Sequence, residues 1–208
     1  DALQREPQLQ ALRGRASTLL ANFAQDVDKL NQKVKLVARL HDPTLRCALP
    51  VNEFLDGHFS EPPQPERATI LAADGSQISL NRNAEVDYCL LNVGAIQLRL
   101  GSTVPPNTHI SSQLFYGEQL YTESGTITDA TLALLRDVNE RAILVSLAEK
   151  AVPPVITFTD GPMELWGAKQ VDAASEFQKQ IEVYLAALDR LCSLKVVTAG
   201  YVDKPAAN

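Results

Sequence analysis

The sequence is poor in the residues that build the commoner catalytic and structural metal sites. It holds three cysteines, Cys47, Cys89 and Cys192, widely spaced and with no CxxC pair. That spacing supports neither a zinc ribbon nor a disulfide framework. A reducing, cytoplasmic setting fits it best. Three histidines, His41, His58 and His109, show no HxxxH spacing, so the helix of a zinc hydrolase is not expected. No GxSxG, Walker A or GxGxxG run occurs. The serine-hydrolase, P-loop and dinucleotide-binding readings therefore lack their motifs. No stretch approaches the roughly 20 apolar residues of a membrane helix. The first residues, Asp1-Ala2-Leu3-Gln4-Arg5-Glu6-Pro7, carry no signal core and no initiator Met. No membrane association is expected. A basic excess is missing too, because the net charge is -6. Contact with nucleic acid would have to use a local basic strip. Clustered carboxylates behind such a charge repel one another, and a bound cation would relieve them.

What is present is an ordinary globular composition. The 208 residues are 45% hydrophobic and 21% charged, enough for one substantial core with an appendage. Apolar residues recur at steps of three and four over residues 8–40, from Leu9 through Leu19, Phe23 and Val27 to Val37. One long helix is expected there, out of phase at the step from Phe23 to Val27. It either packs on its own domain or serves as an arm toward a partner. Prolines at 43, 50, 62, 63 and 65 make residues 41–67 a connector. A β-rich section follows. Strands are expected at 68–73, 78–80, 86–100 with a bulge or bend at Gly94, and within 109–121. A helix over 128–150, capped by Thr128 or Asp129, should bury Leu132, Leu135, Val138, Ala142, Val145 and Ala148. A strand at 155–159, a helix at 172–192 with Phe177, Ile181, Tyr184, Leu188 and Leu191 on one face, and a strand at 194–201 complete the order. The expected domains are 1–67, helix and connector, and 68–208, a mixed sheet covered by helices.

Two of the apolar runs each end on Asp-Gly, at Asp74-Gly75-Ser76 and at Asp160-Gly161. Asp-Gly is most often a plain turn. Two buried strands that each deliver a carboxylate can instead place two acidic oxygens on one hard cation. Asp56-Gly57 has no β-branched run before it and reads as a turn. A third acid could come from Asp137, Glu140 or Glu149 on the intervening helix, or from Glu164. Three carboxylates around divalent ions are the arrangement for phosphodiester hydrolysis. Arg82, Arg99, Arg136, Arg141 and Lys169 are candidates to steady a phosphate. Ser76 is expected to cap the turn or hold a water.

The ordered set Ala73-Asp74-Gly75-Ser76, Arg136…Glu140, Phe158-Thr159-Asp160-Gly161 and Ala199-Gly200-Tyr201-Val202-Asp203-Lys204-Pro205 resembles the NurA nuclease family over residues 68–205. The resemblance implies an α/β, ribonuclease H-like mixed sheet flanked by helices. It implies an Mn²⁺- or Mg²⁺-dependent deoxyribonuclease, dimeric, working with the hexameric ATPase HerA in resecting double-strand breaks. Carried over, Asp74, Glu140 and Asp160 are the catalytic and metal-binding residues; Ser76, Arg136 and Arg141 are the residues beside them expected to contact substrate. Two departures are visible. Pro162 stands where the family often has Ser, which removes a backbone donor. Family members also continue past the last motif with further functional residues, so a chain ending at Asn208 is expected to carry an incomplete site.

A non-catalytic interaction module on the same fold, binding a partner ATPase, is the alternative. An ATPase of the sugar-kinase and actin superfamily is disfavoured, because Gly follows Asp74 directly and no second Gly-rich phosphate loop appears.

Overall fold

A computed structural model describes residues 2–41, 53–81, 85–122, 125–165 and 174–202. The sequence expectations at Cys47, Arg82, Lys169 and 203–208 lie outside the described residues. The described residues divide into two compact units, one within residues 1–63 and one within 64–204.

The first unit holds two helices where one was expected: α1, Ala2–Phe23, and α2, Val27–Leu40. The break falls at the out-of-phase step. Asp26 leaves helical geometry and its carboxylate accepts the Lys29 amide at 2.9 Å, which caps α2. Restarting the helix lets Leu30, Val34 and Val37 of α2 line one apolar groove with Leu19, Leu20 and Phe23 of α1. A single continuous helix cannot fold its stripe back on itself. Lys33 sits 4.3 Å above the Phe23 ring and covers the turn.

The second unit is built on a five-stranded sheet. Strands β1 (Ala68–Ile78), β2 (Tyr88–Leu100) and β3 (Asn107–Tyr116) form an antiparallel meander. A 3-10 turn (Gly117–Leu120) and a two-residue hairpin, β4 (Tyr121–Thr122) and β5 (Gly125–Thr126), lead into α3, Asp129–Ala148. Then come β6 (Val155–Asp160), α4 (Ala174–Ser193) and β7 (Val197–Tyr201). The sheet order is β3-β2-β1-β6-β7, with β6 parallel to β1 and β7 parallel to β6. An antiparallel meander continued by parallel strands, with crossover helices, is the ribonuclease H-like arrangement expected from the sequence.

Period-two alternation sorts each strand into two faces. Leu71 and Ala73 of β1, Ala95 of β2 and Val155 of β6 pack with Leu144 and Ala148 of α3 and Leu191 of α4. Both helices therefore cover one face. Thr128 caps α3 by accepting the Thr131 amide. Of the expected stripe on α3, Leu132, Val138 and Ala148 are buried, Leu135 and Val145 are half-buried and Ala142 is exposed, while Leu134, Glu140, Arg141 and Leu144 are buried as well. The reason is two-sided packing: Leu144 faces the sheet, and Leu134 and Val138 meet Tyr184 of α4. On the opposite face, no described element of this unit covers the sheet, and Ile110 of β3 is 80% exposed there.

Two expectations fail in instructive ways. Gly94 makes no bulge, since the β1–β2 register runs unbroken from Ala68↔Leu100 to Ile78↔Leu90. Nor does β1 end at Asp74-Gly75. It runs on to Ile78, because β2 is long enough to pair every residue.

Candidate active site

The two Asp-Gly pairs have different local structures. Asp160 is the last residue of β6, and Gly161 follows with φ +83°, a left-handed turn that favours glycine. Asp74-Gly75 is continuous strand. There glycine answers a close approach: a methyl on Gly75 would sit 2.7 Å from Oε1 of Glu140 and collide with the Arg136 side chain. The missing side chain is what allows α3 to press those two residues against β1.

Asp74 and Asp160 come together. The parallel register ends at Ala73↔Thr159, and each Asp is the next residue on its strand. Adjacent strands run about 4.8 Å apart. Both side chains share the face of Ala72 and Phe158, opposite α3, and both are exposed. Asp74 is paired across the β1–β2 ladder with Gly94, which adds no side chain beside it. The two carboxylates stand in an open groove of about 740 Å³ whose walls include Ala72, Ile96, Ile110 and Phe158. Tyr201, the β7 partner of Asp160, closes one side. Ser76 lies two residues beyond Asp74, exposed, and is paired with Asn92.

Glu140 approaches from the other side. It sits on α3, 5% exposed, beneath Gly75. Its carboxyl is raised from 4.5 to about 7. Burial is the first cause, followed by the Asp137 charge; Asp74 adds to the rise. Arg136 and a hydrogen bond from the Gly75 amide oppose it. Arg136 Nε is 3.6 Å from Glu140 Oε1, while its Nη2 is 3.0 Å from Asp137. Glu140 and Asp74 thus sense each other across the strand. Among the described residues, however, no three His, Cys, Asp or Glu side chains are grouped tightly enough to hold a metal ion. The reason is the sheet: Asp74 and Asp160 leave one face and α3 occupies the other. The donor set that fits a hard cation is the Asp74–Asp160 pair, since Mg²⁺-like ions commonly take one or two protein carboxylates and complete their shell with water and phosphate.

Arg141 is not positioned as a substrate contact. It is 2% exposed, turned inward between α3 and α4. Its Nε donates to the Tyr184 hydroxyl at 3.3 Å, its guanidinium lies 5.7 Å from the Tyr184 ring centre, and Nη1 is buried without a hydrogen-bond partner. Arg136, about one-third exposed, lies beside Glu140 against Gly75, on the α3 side of the sheet and not in the groove. Sequence reading placed Tyr184 on the buried stripe of its helix but gave it no role. The only signal was a hydroxyl on an otherwise apolar stripe, which needs a partner when buried.

No known family matches this chain, and no curated protein matches it. Solved structures do. The NurA nuclease from Sulfolobus solfataricus is 11% identical with a TM-score of 0.43, over 97% of this chain and 60% of that one. The foamy viral protease-reverse transcriptase in complex with dsDNA is 16% identical with a TM-score of 0.39, over 67% and 84%. LC9-RNase H1, a type 1 RNase H with the type 2 active-site motif, is 12% identical with a TM-score of 0.35, over 68% and 66%. This chain spans less than two thirds of the NurA nuclease's length. The chemistry of the site rests on the residues of this chain.

Proposed function

We propose that this protein is a divalent-metal-dependent deoxyribonuclease of the NurA type, hydrolysing phosphodiester bonds during double-strand-break end resection. The observation that carries the reading is that Asp74 and Asp160 each directly follow the last paired residues of parallel β1 and β6, Ala73 and Thr159, with Glu140 buried under Gly75 behind them. Asp74 and Asp160 would hold Mn²⁺ or Mg²⁺ from the open face. The bound ion supplies Lewis acidity toward water and phosphate oxygen. Glu140, with its carboxyl near 7, gains or loses its charge close to neutral pH and so would tune the field at Asp74 from the covered face, behind Gly75. Arg136, partly exposed beside Gly75, is the cation assigned to phosphate, and Ser76 offers an exposed hydroxyl on the face of Asp74. The same reading includes a homodimer and a HerA-type hexameric ATPase as partner.

The test is cleavage of linear DNA with Mn²⁺ by the wild type and by Asp74→Asn/Asp160→Asn. Cleavage by the wild type that disappears in the folded double variant supports the reading. Cleavage of equal rate in the double variant sinks it.

The second reading is a non-catalytic module that binds a partner ATPase. What favours it is the absence, among the described residues, of a three-carboxylate group, together with the net charge of -6. Calorimetry with Mn²⁺ separates the two: no heat of binding supports the module.

A further inference from the structure

The turn that follows Asp160 is held at three points by groups the proposed reaction does not itself use. The Gly161 amide donates to the Tyr201 carbonyl at 2.7 Å. Gly200 of β7 lies directly under the turn: a methyl there would collide with the Gly161 carbonyl and sit 3.0 Å from the Met163 amide nitrogen. The third point is remote. The Tyr184 hydroxyl on α4 donates to the Met163 carbonyl at 2.5 Å, and Arg141 Nε on α3 donates to that same hydroxyl at 3.3 Å.

The order of donors has a consequence. A guanidinium can only donate, so the tyrosine oxygen must accept from it, and the single hydroxyl proton is left to point at Met163. A cationic donor also polarises the hydroxyl and strengthens its own outgoing bond. Arg141 is 2% and Tyr184 5% exposed, so water competes poorly for either group. Burying a guanidinium with an unpartnered Nη1 is unfavourable in itself.

We propose that Arg141 and Tyr184 are positioning residues. They clamp the 161–163 turn through the Met163 carbonyl and so fix Asp160 beside Asp74. This rests on the reading of Asp160 as a cation-holding carboxylate. Neither residue touches the cation or the substrate. Their effect passes through the backbone, from α4 to Met163 to the strand end.

The experiment uses the full chain and three variants. Tyr184→Phe deletes the hydroxyl alone. Arg141→Lys keeps the charge but not the planar donor. Asp160→Asn removes the carboxylate and leaves the clamp. Two readouts are taken at a temperature where all are folded: amide exchange of Asp160, Gly161 and Met163, since Pro162 has no amide proton, and Mn²⁺ affinity by calorimetry. The clamp requires faster exchange at 161–163 in Tyr184→Phe and unchanged exchange there in Asp160→Asn. Positioning requires Mn²⁺ affinity in Tyr184→Phe to fall about tenfold, the size seen when an outer partner of a metal ligand is lost. Arg141→Lys should lie between wild type and Tyr184→Phe in both readouts. Exchange at 161–163 that stays at the wild-type rate in Tyr184→Phe overturns the clamp. Faster exchange with Mn²⁺ affinity within twofold of wild type overturns positioning, and the pair is then only structural. If the wild type binds no Mn²⁺, the cation-site reading and the positioning role fall together, and exchange alone decides whether the clamp exists.

Discussion

Replacing Glu140 by Gln isolates the most unusual electrostatic feature of the protein. The carboxyl is almost fully buried, and its proton is held to about 7 against an ordinary value of 4.5. At about 1.4 kcal/mol per tenfold change in proton affinity, that displacement corresponds to roughly 3 kcal/mol. The sign follows from which state keeps the proton. Below pH 4.5 both folded and unfolded chains are protonated, and the group is neutral to stability. Between 4.5 and about 7 the unfolded chain releases its proton while the folded one retains it, so stability falls as pH rises. Above 7 the folded carboxyl ionises and the full cost is present. Gln has the same shape and never ionises. Urea unfolding of metal-free wild type and Glu140→Gln, at intervals from pH 4 to 8.5, measures the difference, and titrating groups other than the neighbours Asp74, Arg136 and Asp137 cancel. The Gln variant should gain about 3 kcal/mol relative to wild type across that range. A difference that stays flat with pH would refute the burial-driven rise. Saturating Mn²⁺ adds a second reading. If Glu140 helps to hold the ion, wild-type stability should become nearly independent of pH over the same interval.

Three further outcomes follow from packing and charge. Asp74→Asn and Asp160→Asn, both on exposed carboxylates, should each shift unfolding free energy by no more than about 0.5 kcal/mol while Mn²⁺ affinity collapses; a large loss of stability would mean the pair is structural. Gly75→Ala should cost about 1–3 kcal/mol in urea unfolding, because the added methyl meets Arg136 and Glu140, whereas Gly94→Ala, whose nearest neighbour is 3.8 Å away, should cost less. Leu144→Ala, at a fully buried position, should lose about 2–5 kcal/mol, and Ile110→Ala, on the uncovered face, should unfold at nearly the wild-type midpoint when the chain is monomeric.

Much of the architecture could be read in the chain. Val155-Ile156-Thr157-Phe158-Thr159 is apolar and β-branched, and forms β6 as expected. Phe177, Tyr184, Leu188 and Leu191 mark the inner face of α4. The helix break at residues 24–26 was also written there, as a phase slip, but a stripe alone does not distinguish a kinked helix from two helices. The α3 stripe was misjudged because periodicity assumes one buried face, and α3 is packed on two. Arg141 illustrates the same limit. An arginine beside a candidate acid looks like a phosphate ligand until α4 covers it.

The sequence by itself determined the acids, their place after buried β-branched runs, and the helix that carries a third acid between them. Local preference and period are enough for that, because each depends on residues a few positions apart. Only the tertiary structure decided which acids meet. The parallel register of β1 with β6 brings Asp74 beside Asp160 across more than eighty residues of chain. The one missing side chain at Gly75 lets Glu140 reach the strand from behind. Whether a carboxylate leaves the open or the covered face of a sheet depends on what packs on each side. That is a property of the whole fold, and no short stretch of sequence records it.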